Sequence, residues 1–193
     1  MTARHEMPTP GPAADYAAMF AALAPIIKTE RLILRAPKLS DFPACAEIAC
    51  TERGRFVGGP MSRADAWYEF SRIASGWMLH GHGGFTIEDR ATGTVYGFVI
   101  LGLEPGDQDV ELGFSLTEEA EGKGIASEAA RAARDWAAKE LHLTNLVSYI
   151  DPKNARSVAL AGRLNAVRDR KAEAAVGDDS TYVFRHPSKE APK

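Results

Sequence analysis

Apolar residues recur along the chain with two different spacings, and each spacing predicts one kind of secondary structure. Alternating or continuous apolar runs bounded by turn residues predict strands over 31–35, 85–88, 95–101, 109–116, 146–150 and 181–184. Apolar positions three and four residues apart predict helices over 40–50, from 62 to the glycines at 81–84, over 125–141 and over 154–164. Strands and helices therefore follow one another in an order that predicts a mixed α/β domain.

The first 28 residues differ in composition from the rest of the chain. Pro8, Pro10 and Pro12 disfavour regular structure at the start, and Asp15 is a candidate cap for a short helix that Pro25 ends. We therefore expect an N-terminal extension over 1–28, one domain over 29–187 and a flexible tail over 188–193. The length of 193 residues suits a single domain with such an extension.

Charge and cysteine content argue against several classes of protein. The chain has 23 Lys and Arg against 26 Asp and Glu, a net charge of −3, which disfavours binding to nucleic acid by broad phosphate neutralisation. Cys45 and Cys50 are five residues apart and have no clustered histidines, so we expect neither a metal site nor a redox motif. No apolar stretch reaches the roughly 18 residues of a membrane span, and we expect a cytoplasmic protein with reduced thiols.

The segment between the strand that ends at Leu116 and the helix that begins at Ile125 is the best candidate for chemistry. It contains Gly122 and Gly124 directly before the helix. Glycine lets backbone N–H groups approach a ligand closely, and a helix N-terminus adds unpaired N–H donors. The segment is therefore a candidate phosphate-binding loop, although a glycine turn that only begins a core helix would have the same pattern.

Two nucleotide-binding motifs do not fit this loop. A P-loop would need glycine at Thr117 and a hydroxyl side chain at Gly124. The dinucleotide fingerprint would need glycine or alanine at Ser127. The sequence therefore supports neither a P-loop nor a dinucleotide-binding loop at this position.

The loop resembles a known family. The residues from Glu121 to Ala126 (Glu-Gly-Lys-Gly-Ile-Ala) are similar to the acetyl-CoA pyrophosphate loop of the GNAT superfamily of N-acetyltransferases, whose pattern is [QR]-x-x-G-x-[GA]. Three further blocks occur in the expected order: 29–35, Pro152-x-Asn154-x-x-Ser157, and 182–187. These blocks resemble the branch that acetylates the N-termini of ribosomal proteins.

The resemblance implies a fold, a co-substrate and a set of contacts. The expected fold is a mostly antiparallel central sheet of about six or seven strands flanked by about four helices. Acetyl-CoA is the implied co-substrate, with its pantetheine arm beside Asn154 and along a strand that a bulge opens at Phe114, Ser115 and Leu116. Its pyrophosphate would bind the loop residues Gly122, Lys123, Gly124, Ile125, Ala126 and Ser127.

The implied reaction is direct attack of a primary amine on the thioester in a ternary complex. We expect Ser157 to protonate the leaving thiolate and Glu111 to act as base, with His80, His82 and Tyr149 as weaker candidates. The amine would enter over the first two helices and the loop 51–60, and a protein N-terminus is favoured over a small molecule by the family branch alone. Whether the protein is a monomer or a homodimer stays open.

Three residues or pairs depart from the family pattern and motivate an alternative. Glu121 replaces Arg or Gln, Glu118 stands where proline is common, and Asn165-Ala166 replaces Gly-Phe. An acid beside a pyrophosphate is unfavourable, so we expect the Glu121 side chain to point outward or acetyl-CoA affinity to suffer. The alternative is a non-catalytic CoA-binding regulatory or interaction domain.

Overall fold

The computed structural model describes residues 2–177 and 180–187. Its helices are α1 (Pro12–Leu23), α2 (Phe42–Ala49), α3 (Arg63–Leu79), α4 (Ile125–Glu140), α5 (Ala155–Arg163) and α6 (Arg170–Val176). Its strands are β1 (Ile27–Lys28), β2 (Leu32–Arg35), β3 (Gly84–Asp89), β4 (Val95–Gly102), β5 (Glu111–Leu116), β6 (Val147–Ile150), β7 (Val167–Arg168) and β8 (Tyr182–Arg185). Short 3₁₀ turns at Glu52–Phe56 and Glu118–Ala120 adjoin the site described below.

All eight strands belong to one sheet with the order β1-β2-β3-β4-β5-β6-β8-β7. Every neighbouring pair is antiparallel except β5 and β6, which are parallel. A parallel connection needs a crossover, and α4 supplies it between β5 and β6. Neighbouring strands therefore alternate in direction everywhere in the sheet except at one internal boundary, between β5 and β6, which we call the seam.

Helices cover both faces of the sheet. On one face α4 presents the small side chains of Ala129, Ala133 and Ala137 to the strands, which lets the helix approach the sheet closely. On the other face α2 and α3 pack Phe42 and Phe70 against Phe98 of β4. The seam between β5 and β6 consequently lies between two helical layers.

A buried ion pair ties the second layer to the sheet. Asp41, which is 1% exposed, accepts hydrogen bonds from the Arg35 guanidinium at 2.7 and 3.0 Å and from Thr86 Oγ1 at 2.8 Å. Because a buried carboxylate is costly without partners, this network fixes the start of α2 against β2 and β3.

The mixed, mostly antiparallel fold agrees with the sequence prediction, but three details differ. The described residues contain eight strands and six helices, because the two-residue strands β1 and β7 and the short helix α6 have too few residues to show a period. Helix α1 begins at Pro12 rather than after Asp15, since proline suits the first turn of a helix. The predicted tail over 188–193 lies outside the described residues, and none of the described helices is long and apolar enough to cross a membrane.

Candidate active site

The seam between β5 and β6 opens into a cleft after a single register pair. Glu111 lies opposite Val147, and the Val147 N–H donates to Val110 O at 3.0 Å. The next ladder bond would join the Tyr149 N–H to Leu112 O. Instead Leu112 O accepts from Ser148 Oγ at 2.6 Å. A side chain thus ends the ladder, and the strands diverge beyond it.

The divergence leaves part of the β5 backbone free. The register between β4 and β5 is regular over all six pairs, and Thr117 N donates to Tyr96 O at 3.0 Å. Because backbone groups alternate direction along a strand, Ser115 bonds to β4 while Phe114 and Leu116 direct N–H and C=O groups into the cleft. The expected bulge is absent from these six pairs, and the Ser115 backbone faces β4. Loss of the β6 partner, not a bulge, frees the backbone.

The glycine loop is shaped by two left-handed residues. Gly122 has φ 72° and Gly124 has φ 76°, a conformation that costs L-residues with a side chain about 1–2 kcal/mol. Gly124 is the N-cap of α4, and the first intrahelical bond runs from Glu128 N to Gly124 O. The N–H groups of 125–127 therefore have no partner within the helix, as an anion site requires.

A cluster around Glu128 holds the loop against the edge of β2. The Glu128 carboxylate accepts from Thr29 Oγ1 at 2.5 Å, from the Arg31 N–H at 3.1 Å and from Arg31 Nε at 2.7 Å. Arg31 Nη1 also donates to Lys123 O at 2.9 Å, within the loop itself. The block at 29–35 thus contributes directly to the position of the loop and of the first turn of α4.

Glu121 does not stand alone beside the loop. Its Oε1 contacts Arg53 Nη1 at 2.5 Å and its Oε2 contacts Arg156 Nη1 at 2.7 Å. Two guanidinium groups therefore surround one carboxylate. The sequence offered no sign of these partners, which are separated from Glu121 by 68 and 35 positions.

Helix α5 brings Asn154 and Ser157 to the cleft. Asn154 is the N-cap, and its Oδ1 accepts from the Ser157 N–H at 3.2 Å. Both residues are half-buried and line the cleft. The Asn154 amide group and the Ser157 hydroxyl remain available to a ligand because the cap uses only the Oδ1 atom and a backbone N–H.

The cleft continues into a cavity of about 680 Å³ on the α2 and α3 face of the sheet. Its apolar wall includes Ile48, Phe56, Phe98 and Ile100. Its lining residues with acidic or basic side chains are Glu69, Arg72, Glu104, Asp107, Glu111 and Asp151. Arg72 pairs with Glu69 at 2.6 Å and with Glu104 at 2.9 Å. Five carboxyl groups therefore face one guanidinium, and that guanidinium is already paired with two of them.

Glu111 has the most informative environment among these acids. Burial raises the pKa of its carboxyl to about 7, and the charges of Glu104 and Asp107 add to the effect. The hydrogen bond from the Tyr149 N–H and the charge of Arg72 act in the opposite direction. A carboxylate that titrates near neutral pH inside a cavity has the property that a general base needs.

The weaker base candidates occupy different places. His82 is buried with Nδ1 2.8 Å from Leu101 O, and it stacks on His80 at 5.6 Å between ring centroids. Neither histidine lines the cavity. Tyr149 does line it, and its hydroxyl accepts from Gln108 N at 3.3 Å.

Comparison with known proteins identifies the family. The model of the acetyltransferase (GNAT) domain family matches residues 31–167. The chain is a GNAT acetyltransferase. The GNAT family uses acetyl-CoA, and the chain is accordingly an acyltransferase.

Solved structures of acetyltransferases share this fold. An acetyltransferase from Agrobacterium tumefaciens is 38% identical, with a TM-score of 0.79 over 84% of this chain and 94% of that one. The ribosomal L7/L12 alpha-N-protein acetyltransferase RimL, in complex with coenzyme A, is 20% identical with a TM-score of 0.68, over 87% and 100%. The ribosomal-protein-S5-alanine acetyltransferase from Vibrio fischeri is 20% identical with a TM-score of 0.62, over 87% and 100%.

The burial of Glu111 predicts a pH-dependent stability. Its pKa of about 7 exceeds the usual 4.5, so the folded state pays no ionisation cost for this acid below pH 4.5. The cost grows as pH rises from 4.5 to 7 and stays constant above pH 7. Glu111→Gln should therefore gain roughly 2–3 kcal/mol of unfolding free energy relative to the wild type between pH 4.5 and pH 8. Urea unfolding at both pH values measures this difference. The exposed control Glu119→Gln should show none, and an equal response of the two variants would contradict the analysis.

Proposed function

We propose that this protein transfers the acetyl group of acetyl-CoA to a cationic primary amine in a ternary complex. One observation supports the proposal above the others. The same cleft joins the free backbone of β5, the polar end of α5 and an acidic cavity that contains Glu111. Acyl transfer to an amine needs a held thioester, an oxyanion donor, a base and a proton for the thiolate, and the cleft has a candidate group for each.

The loop and the cleft account for binding of acetyl-CoA. The pyrophosphate would accept hydrogen bonds from the backbone of 122–127, where the helix N-terminus also favours negative charge. The pantetheine amides would pair with the Phe114 and Leu116 backbone as an added strand does, and with the Asn154 side chain. Ser115 would contribute only its side chain to the lining of the cavity.

Glu111 supplies the base. The carboxylate takes one proton from the ammonium group of the acceptor and leaves a neutral amine, whose nitrogen attacks the thioester carbonyl. Three residues of extended strand between Glu111 and Phe114 span roughly 10 Å, so the proton passes through an intervening water. A pKa of about 7 makes Glu111 able to hold this proton near neutral pH.

The free backbone and Ser157 complete the transfer. As the nitrogen bonds to the carbonyl carbon, the oxygen becomes negative and the Phe114 N–H stabilises it, which is worth about 3 kcal/mol for a well-aimed donor. The carbon–sulfur bond then breaks. Ser157 gives its hydroxyl proton to the departing thiolate and regains one from the nitrogen of the new amide.

The acidic lining defines the acceptor that we propose. Five carboxyl groups and one guanidinium face the cavity, and two of the carboxyl groups pair with that guanidinium. Such a lining attracts an ammonium group and repels a carboxylate near the amine. Protein N-termini followed by basic or neutral residues, and small polyamines, fit this requirement.

An acceptor panel tests the proposed function. Release of the CoA thiol from acetyl-CoA should be fastest with N-terminal peptides that carry a basic second residue or with small polyamines. It should be at least about tenfold slower with the same peptides carrying an acidic second residue, because the cavity repels the added charge. Free-thiol assays at constant ionic strength measure the rates. Acetyl-CoA binding without turnover on any acceptor would favour the alternative of a non-catalytic CoA-binding domain.

The glycine loop can be tested by ligand-dependent stability. Acetyl-CoA should raise the melting temperature of the wild type by mass action, and Gly124→Val should abolish the increase because a β-branched residue cannot hold φ 76° and would crowd the approach of the pyrophosphate. Gly162→Ala is the matched control, since its helical position is open and has no positive φ. Thermal unfolding with and without millimolar acetyl-CoA measures the effect, and retained stabilisation of Gly124→Val would refute the loop assignment.

Ser157→Ala tests the proposed acid. The variant should lower kcat by roughly tenfold with little change in acetyl-CoA affinity, because a thiol of pKa about 8.5 needs only modest help to leave. Steady-state rates with the best acceptor of the panel, together with calorimetric binding, separate the two quantities. Ser71→Ala, on α3 and bonded to Trp67 O, is the control. An unchanged kcat would remove Ser157 from the mechanism.

A further inference from the structure

The residue that departs most from the family pattern is also the centre of an ion cluster. Glu121 stands directly before Gly122, and each of its carboxylate oxygens contacts a different guanidinium, that of Arg53 or that of Arg156. Glu118 lies 3.8 Å from Arg53 and is 84% exposed, and Arg156 is 82% exposed, so solvent screens both of these charges. Glu121 therefore bridges two guanidinium groups directly before the glycine loop.

The two arginines come from different walls of the cleft. Arg53 belongs to the 3₁₀ turn Glu52–Phe56, whose end at Phe56 lines the cavity. Arg156 lies in the first turn of α5, beside Ser157. Glu121 thus joins the cofactor loop to both walls, and it holds two long side chains that would otherwise be free to point into solvent.

The guanidinium groups keep donors for a further anion. An arginine has five N–H donors, the contacts to Glu121 use the Nη1 group of each residue, and Arg53 Nη2 lies 3.8 Å from Glu118 Oε2. A guanidinium held in place by a carboxylate loses less side-chain freedom when a phosphate binds to its remaining edge. Glu121 therefore acts on a bound anion in two opposite ways. Its own charge repels the anion, whereas its contacts to the two arginines favour binding of the anion.

We propose that Glu121 is a positioning residue that presents Arg53 and Arg156 to the diphosphate of acetyl-CoA. The inference rests on the proposed function, because it assumes that acetyl-CoA binds this loop. It replaces the expectation that an acid at this position weakens binding. The cluster places the guanidinium groups of two remote arginines beside the position at which the family pattern has Arg or Gln.

The direction in which one substitution changes the affinity for acetyl-CoA distinguishes direct repulsion by Glu121 from positioning of the arginines by Glu121. Glu121→Gln removes a negative charge next to a diphosphate, so direct repulsion predicts tighter binding of acetyl-CoA. If Glu121 positions the arginines, the neutral amide holds them poorly and the dissociation constant should rise by about threefold to tenfold. Isothermal titration of acetyl-CoA into the full chain measures the constant. Tighter or unchanged binding by Glu121→Gln would overturn the inference.

Arginine variants with a matched control localise the effect. Arg156→Met should weaken acetyl-CoA by a similar factor, whereas Arg163→Met, an exposed arginine in the last turn of the same helix, should leave binding unchanged. The double variant Glu121→Gln/Arg156→Met should have about the same dissociation constant for acetyl-CoA as the weaker-binding single variant, because the two residues act through one contact. Equal losses in Arg156→Met and Arg163→Met would overturn the inference. Arg156 is 82% exposed, so its variant is expected to fold.

Pantetheine distinguishes phosphate binding from general damage to the cleft. It lacks the diphosphate, so its dissociation constant, measured by ligand-observed NMR, should be the same for the wild type and for Glu121→Gln. An equal loss of pantetheine and acetyl-CoA would show a structural role and overturn the inference. A wild type that fails to bind acetyl-CoA would overturn the proposed function and this inference together, whereas tighter binding by Glu121→Gln overturns the inference alone.

Discussion

The whole site depends on the termination of one parallel ladder. Strands β5 and β6 share one register pair, and the bond that would extend the ladder is replaced by a side-chain contact, from Ser148 Oγ to Leu112 O. Unpaired backbone groups inside a protein are costly in free energy. Where a strand diverges from its neighbour, its free N–H and C=O groups are therefore stabilised by any new hydrogen-bond partner. An extended amide-containing ligand can meet that demand, which is why the cleft and the proposed pantetheine site coincide.

A buried histidine supports this junction from behind. His186 Nε2 lies 2.9 Å from Ser148 Oγ, and burial lowers the pKa of His186 to about 4. The imidazole is therefore neutral at ordinary pH and adds no charge beneath the cleft. Because Ser148 donates to Leu112 O, its oxygen is free to accept from the histidine N–H. The contact that ends the ladder is thus itself fixed by His186, the residue directly after β8, in the block 182–187 of the sequence motif.

Local patterns predicted the elements with a strong period and the loop before α4, but not the contacts that give the site its electrostatics. Helix α4 and strand β4 were predictable because their apolar positions repeat over 16 and 8 residues. The partners of Glu121 were not, since no short-range spacing relates Arg53 or Arg156 to the loop. The raised pKa of Glu111 likewise could not be predicted: its largest cause is burial, which the spacing of Glu111 from the neighbouring acids Glu104 and Asp107 does not indicate.

The two ends of the cleft therefore differ in charge although the net charge of the chain is only −3. Guanidinium groups and carboxylates pair with one another around the glycine loop, whereas carboxyl groups outnumber the single guanidinium of Arg72 around Glu111. An acidic acceptor end suits a cationic acceptor, and the unpaired backbone N–H groups of the loop suit an anionic donor. Burial raises the pKa of Glu111, and the charges of Glu104 and Asp107 raise it further, so in the proposed mechanism the acids that attract the ammonium also strengthen Glu111 as a base.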